Sequence, residues 1–167
     1  MTDLPFSSQA VVPQESVETN DHALRFGGIR RLYGTRAYER FRTAHVVVVG
    51  VGGVGSWTVE ALARSGIGKL TLIDLDDVCV SNVNRQLHAL DGTVGRPKVE
   101  VLAERCRAIQ PGIEVVEDIA FATPTNLAER IPEDADHLVD AIDSVVAKAA
   151  LISWCKRRKL PITVTGA

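Results

Sequence analysis

The period of hydrophobic positions changes along this chain, and each change marks an element. From His45 to Val49 the sequence reads HVVVV, a β-branched run with no polar position among its valines. Such a run fits a strand covered on both faces, as in a parallel sheet flanked by helices. After Gly50 the period lengthens into an apolar helical run from about Val54 to Arg64, with Gly66 and Gly68 as C-cap and turn. Residues 69–74, KLTLID, read as a second strand. The next stretch, LDDVCVSNVNRQLHAL, is too polar for a strand and too short for an ordinary crossover helix. Within it Ser81 is placed to cap one short helical turn carrying Asn82 and Arg85 back over the glycine loop. Pro97 suits a first helical position, and Val99, Leu102, Ala103, Cys106 and Ile109 form one apolar stripe before Pro111-Gly112 ends the helix. A strand over 114–120, a short helix near 126–131 and a strand over 137–143 ending on Asp143 follow. Ser144 then caps a helix over 145–158, and 161–167 read as a fifth strand.

Strands alternating with helices predict an α/β fold, a Rossmann-like, doubly wound, mostly parallel sheet with helices on both faces. Ahead of it, residues 25–42 read RFGGIRRLYGTRAYERFR, in which Arg25, Arg30, Arg31, Arg36, Arg40 and Arg42 interleave with Phe26, Leu32, Tyr33, Tyr38 and Phe41. That predicts one or two short amphipathic helices docked before the first strand, with most of the arginines on a solvated face. Residues 1–22 are polar and aperiodic and are expected to form a mobile tail, leaving 23–167 as one domain. The chain stops just after the fifth strand, where a loop and helix are expected, so the C-terminal part of the fold is expected to be missing.

Composition narrows the class. With 46% hydrophobic and 24% charged residues the chain has an ordinary globular balance, and a net charge of −2 argues against wholesale electrostatic binding of nucleic acid while leaving room for a local basic patch. No apolar run approaches the roughly 20 residues of a membrane span and no secretory signal opens the chain, so no membrane association and a cytoplasmic location are expected. Cys79, Cys106 and Cys155 are odd in number and never at C-x-x-C spacing, which writes neither a disulfide framework nor a cysteine zinc site.

The chemistry concentrates after the first strand. Gly50, Gly52 and Gly55 fall at G-x-G-x-x-G spacing, with Gly53 in the same loop. This spacing permits a tight turn, a close approach of backbone to phosphate and a helix seated against its strand, and the free N–H groups and dipole of the following helix favour an anion. Asp74, 24 residues past Gly50 at the end of the second strand, is placed to bond ribose hydroxyls, although an acid there also serves as a turn former. Lys98 is out of place in the first turn of a helix, where a cation opposes the macrodipole by about 0.3–1 kcal/mol, and an anion pocket would explain it. Asp143, at another strand end, converges on the same crevice, whereas Asp140 inside that strand needs a partner if buried.

These features fit ATP or a nicotinamide dinucleotide. The cations weigh toward nucleotidyl transfer, in which pyrophosphate leaves with growing negative charge, and no histidine is placed for hydride chemistry.

The string DLDDVCVSNVNRQ, the GRPK thirteen residues after Arg85 and the DAID strand end resemble the ubiquitin-activating-enzyme-like superfamily, whose members adenylate a carboxylate with ATP. Within it, RFGGIRRLYG, GVGGVGSWTVEALARSGIG, DDVCVSNVNRQLHAL and DAIDSV are similar to the tRNA threonylcarbamoyladenosine dehydratases. The resemblance runs from about Arg25 to Ala167. It implies an ATP site made of Gly50, Gly52, Gly53, Gly55, Asp74 and Asp76, with Asn82, Arg85 and Lys98 on the phosphates and Asp143 on Mg²⁺ or the nucleotide. Arg85, Lys98 and Asp143 are then the catalytic set. The resemblance further implies a tRNA substrate and a homodimer, and admits a monovalent cation and a sulfur-transfer protein system as partner. Where the superfamily often carries R-[FY]-x-R, Gly28 occupies the second arginine position, so Arg25, Arg30 and Arg31 remain rivals for an arginine reaching into the partner subunit. Adenylation of a ubiquitin-like sulfur carrier, an NAD-dependent oxidoreductase and a non-catalytic nucleotide-binding module remain alternatives.

Overall fold

The computed structural model describes the backbone of residues 14–165 and the side chains of residues 21–165. Five strands, β1 (His45–Val49), β2 (Lys69–Ile73), β3 (Glu114–Asp118), β4 (His137–Asp140) and β5 (Ile162–Val164), form one sheet in the order β3-β2-β1-β4-β5, with every neighbouring pair parallel. This is a doubly wound order. It reverses between β1 and β4, so a crevice opens beyond their carboxyl ends.

The helices are α1 (Gln14–Tyr33), α2 (Thr35–Thr43), α3 (Gly53–Arg64), α4 (Lys98–Ile109), α5 (Leu127–Arg130) and α6 (Val145–Arg158). Alternation along β1 sends Val46 and Val48 into a core with Val59 and Ala63 of α3 and Val99, Leu102 and Cys106 of α4. Val47 and Val49 face the opposite way, onto Leu127 of α5 and Leu151 and Cys155 of α6. All five residues of β1 are buried, as expected of a strand covered on both faces.

The strands are shorter than the sequence periodicity predicts at their carboxyl ends. β4 stops at Asp140, after which the Ala141 N–H makes a last bond to the Val49 carbonyl of β1 at 2.8 Å, and Asp143 lies in the loop beyond. β3 stops at Asp118 and β5 spans Ile162–Val164, residues 166–167 of the expected fifth strand lying outside the described residues. The expected tail also differs. Residues 14–22 lie in α1, where the sequence from Gln14 to Arg25 holds no Gly or Pro to break a helix, while residues 1–13 lie outside the described residues. Helix α1 bends at Phe26 (φ −111°, ψ 16°), so residues 25–43 do supply two short helical segments around a break. Phe26 is buried, and the His22 Nδ1 and Tyr38 hydroxyl hydrogen-bond at 2.8 Å between α1 and α2.

Helix α6 ends on Lys159 at φ 58°, the left-handed position where glycine is usual and a side chain costs roughly 1–2 kcal/mol.

Candidate functional site

At the carboxyl ends of β1, β2 and β4 a crevice of about 470 Å³ is lined by Gly50, Gly52, Gly53, Asp74, Asp76, Asn82, Arg85, Lys98 and Asp143 together with Val49, Val54, Ile73, Gln86, Ala120, Phe121, Ala122, Ala141 and Ile142. Of the ten residues expected at the nucleotide, only Gly55 lies off its wall.

Gly55 has a different task. A Cβ there would sit 1.8 Å from the Gly50 carbonyl oxygen, so its lack of a side chain lets α3 press against the end of β1. Gly50 itself has φ +82°, and a Cβ on it would meet Ile142 Cγ2 at 2.8 Å. The loop thus packs under the β4–α6 connection, leaving the wall at Gly52 and Gly53 to backbone. Asp74 holds this turn: Oδ2 accepts the Val51 N–H at 2.8 Å and Oδ1 the Asp76 N–H at 2.9 Å. A carboxylate has about four lone-pair positions, so two such bonds leave room for ribose hydroxyls.

Lys98 opens α4 and is almost wholly buried, with Nζ 2.8 Å from Asp76 Oδ2. The misplaced cation is therefore matched by an acid on the crevice wall. Nearby, His88 is 1% exposed and neither ring nitrogen has a hydrogen-bond partner in this structure. Burial, with the Lys98 ammonium adding to it, pushes its pKa down to about 4, which keeps the imidazole neutral beside a lysine.

The polar stretch after β2 folds as a 3-10 turn, Val80–Asn82, and a loop. Its cap is Cys79 rather than Ser81, because Asn82 Oδ1 accepts the Cys79 N–H at 3.0 Å and so closes the turn one residue pair earlier. The loop is tied to α3 by two bonds that sequence reasoning missed. Trp57 Nε1 donates to the Arg85 carbonyl at 3.1 Å, and Leu87 N–H donates to Ser56 Oγ at 3.3 Å. Arg85 is thereby held against Gly53, its guanidinium bonded only to the Ser81 carbonyl and Asn84 Oδ1 and paired with no carboxylate among the described residues. Gln86 was also missed; it is 7% exposed, and its Oε1 is a buried acceptor without a partner in the crevice wall. Only adjacency to Arg85 could have pointed to it.

Asp140 meets the expectation that it needs a partner. Fully buried, it accepts from Lys148 Nζ at 2.9 Å and from the Ile142 N–H at 3.2 Å, and this pair props the loop that carries Asp143. Cys106 is buried in the core, where desolvation pushes its thiol up to about 12, and it offers no nucleophile. Among the described residues no three His, Cys, Asp or Glu side chains gather as a metal site, and no helix is long and apolar enough to cross a membrane.

Among the arginines before β1, Arg25 is engaged within its own chain. Its Nε lies 2.6 Å from Asp21 Oδ2 and its Nη1 donates to the Ile109 carbonyl at 3.3 Å. Arg30 and Arg31 make no hydrogen bond or ion pair from their side chains among the described residues.

Comparison with known proteins gives this crevice a context. The ThiF family model matches residues 28–167. The chain is 56% identical over 142 residues to the tRNA threonylcarbamoyladenosine dehydratase of Escherichia coli, covering 85% of this chain and 53% of that protein. A crystal structure of that bacterium's tRNA N6-threonylcarbamoyladenosine dehydratase superposes with a TM-score of 0.88 at 53% identity, over 90% of this chain and 63% of the other. A structure of the same enzyme in complex with ATP gives 0.85 at 54% identity, over 87% and 60%. The chain spans about half the length of the curated relatives it matches.

Proposed function

The chain belongs to the ThiF family, and from that premise we propose that it is the nucleotide-binding part of an ATP-dependent tRNA threonylcarbamoyladenosine dehydratase. One observation carries the reading: Arg85 and Lys98 line the same glycine-loop crevice as Asp74 and Asp143, a set that suits a bound triphosphate. The similarity to dehydratases, one of them solved with ATP, supports it.

In this reading Asp74 takes the ribose, the Gly52–Gly53 backbone and the start of α3 take phosphate oxygens, and Phe121, Ala122 and Ile142 form the apolar wall. Gln86 Oε1 accepts from the bound ligand or an ordered water. The carboxylate of the threonylcarbamoyl group attacks the α-phosphorus, the bond to the β-phosphate oxygen breaks, and pyrophosphate leaves. Arg85 and Lys98 neutralise the charge that builds on it, Lys98 turning from Asp76 to phosphate. The mixed anhydride then closes internally and AMP is released, so the enzyme's task is positioning and charge stabilisation rather than covalent catalysis. Asp143 would hold Mg²⁺, which supplies further charge neutralisation at the phosphates. A monovalent cation is admitted by the same resemblance, although no further ligand set argues for it.

We further propose a homodimer in which Arg30 or Arg31 approaches the partner's crevice, Arg25 being occupied in its own chain. The same reading goes with a cytoplasmic location, and a sulfur-transfer system is its candidate protein partner.

Mass spectrometry of tRNA nucleosides from a deletion strain is the decisive experiment. Loss of the cyclised base supports the dehydratase. An intact base together with loss of a sulfur-carrier product would instead assign the adenylation of a ubiquitin-like carrier, and no change in either would reduce the domain to a nucleotide-binding module. Calorimetry with ATP·Mg²⁺ and NAD⁺ separates the remaining oxidoreductase alternative, since binding of NAD⁺ but not ATP would overturn the adenylation chemistry altogether.

A further inference from the structure

The sequence Lys156-Arg157-Arg158-Lys159 is the longest run of like charge in a chain whose net charge is −2. All four residues are exposed at the C-terminal end of α6. Arg157 Nη1 donates to Ser153 Oγ at 2.7 Å, while the Arg158 guanidinium lies over the Trp154 ring, 5.2 Å from its centroid, with Glu133 Oε1 3.8 Å away. Lys156 and Lys159 make no side-chain hydrogen bond or ion pair among the described residues. Cations in a last helical turn do favour the dipole. That does not account for Lys159, the one non-glycine residue with positive φ among the described residues, where glycine would be the more stable choice.

We propose that this end of α6 docks the phosphate backbone of the tRNA substrate. The proposal rests on the dehydratase reading and deepens it. Helix α6 begins two residues after Asp143 at the crevice and runs 14 residues, so at 1.5 Å per residue its basic end stands about 21 Å from the catalytic end. At roughly 3.4 Å per nucleotide along a strand, that distance corresponds to on the order of six nucleotides beyond the base undergoing reaction. A small-molecule substrate would leave such a surface without a partner, whereas a polynucleotide must pass over some surface outside the crevice. The chemistry at this end also favours phosphate over a lipid bilayer. Of the large apolar side chains near this end only Ile152 and Val164 are exposed, at 40% and 42%, and Trp154 is partly buried against the core, so the cations have little apolar face to insert beside them.

The test compares the intact protein with a Lys156→Ala/Arg157→Ala/Lys159→Gly variant. Affinity for unfractionated tRNA is measured by fluorescence anisotropy between 50 and 200 mM salt, alongside calorimetric ATP binding and a thermal melt. Each lost phosphate contact removes about 0.7–0.9 from the slope of log affinity against log salt, so the slope should fall by about two to three and affinity by about tenfold or more at the lowest salt. ATP affinity should not change. The single variant Lys159→Gly should bind tRNA more weakly while melting at a higher temperature, a pairing that a purely structural role does not produce. Equal tRNA affinity and slope in wild type and triple variant would overturn the docking surface while leaving the dehydratase reading in place. A wild-type protein with no tRNA affinity would overturn both. If the substitutions abolished binding to phosphatidylserine vesicles but left tRNA binding intact, the surface would belong to membranes and the proposal would fail.

Discussion

Lowering the pH from 7 to 5.5 should destabilise this protein through His88. The imidazole is buried without a partner for either nitrogen, and its pKa is pushed down to about 4 from an ordinary 6.5. Between those two values the unfolded chain binds a proton at this site and the native protein does not, so stability rises with pH across the window. The contribution is complete above about pH 6.5 and drains away as pH falls toward 4. Integrating over the two pKa values gives a loss of about 1.2 kcal/mol between pH 7 and 5.5. The window lies above the range in which paired carboxylates such as Glu60 and Glu104 take up protons, since theirs are held below 4.5 by arginines. His22 and His45, both lowered by burial, act in the same direction, so the wild-type loss alone does not isolate His88. The comparison is therefore with His88→Leu, which fills the site and cannot titrate. Urea unfolding of both proteins at the two pH values should show the wild type losing about 1 kcal/mol more than the variant. Equal losses in the two proteins would refute the claim that His88 is held neutral, and with it the idea that the wall behind Lys98 stays uncharged.

Other perturbations address the crevice and its assembly. Lys98→Met keeps the bulk of the stem and should lower ATP-dependent AMP release by two to three powers of ten, since charge stabilisation of this kind is worth about 2.7–4 kcal/mol, while the melting temperature changes little because Asp76 is exposed enough to be rehydrated; unaltered AMP release would make the lysine a structural partner of Asp76. Gly55→Ala should destabilise the fold by at least about 2–3 kcal/mol, because its methyl would lie 1.8 Å from the Gly50 carbonyl, and a stable variant with normal ATP binding in calorimetry would contradict the packing described. Mixing an Arg30→Ala/Arg31→Ala protein with Lys98→Met should restore part of the activity if an arginine acts across a dimer, and no recovery in demonstrably mixed dimers would return these arginines to the solvated face.

The sequence made the strand and loop chemistry legible because local rules sufficed: a valine run, three glycines at fixed spacing and an acid at a strand end each carry a physical meaning without neighbours. Lys98 was legible as a violation of a rule, and the structure supplies the reason in Asp76. What stayed hidden depended on contacts distant in the chain. Nothing around Trp57 says that its indole reaches the Arg85 carbonyl 28 residues on, and Gln86 reads as one more polar loop residue until its carbonyl oxygen is found buried. The start of α1 was missed for another reason: a polar stretch without hydrophobic period gives no signal of a helix that gains little from burial. Ser81 lost the cap to Cys79 because capping there uses a side chain reaching backward, which a forward scan for Ser or Thr does not register.

The chain has two tryptophans, and the fold places them where they can be read separately by light. Trp57 is 57% exposed at the start of α3, its indole N–H fixed to the backbone of Arg85. Any ligand that shifts Arg85 changes the polarity and hydrogen bonding that set this indole's emission. Trp154 sits near the other end of the sheet under the Arg158 guanidinium, which an approaching polyanion would draw away from the ring. Replacing either one with Phe leaves an intrinsic probe of the other site, so occupancy of the crevice and occupancy of the basic end of α6 become two optical signals from unlabelled protein.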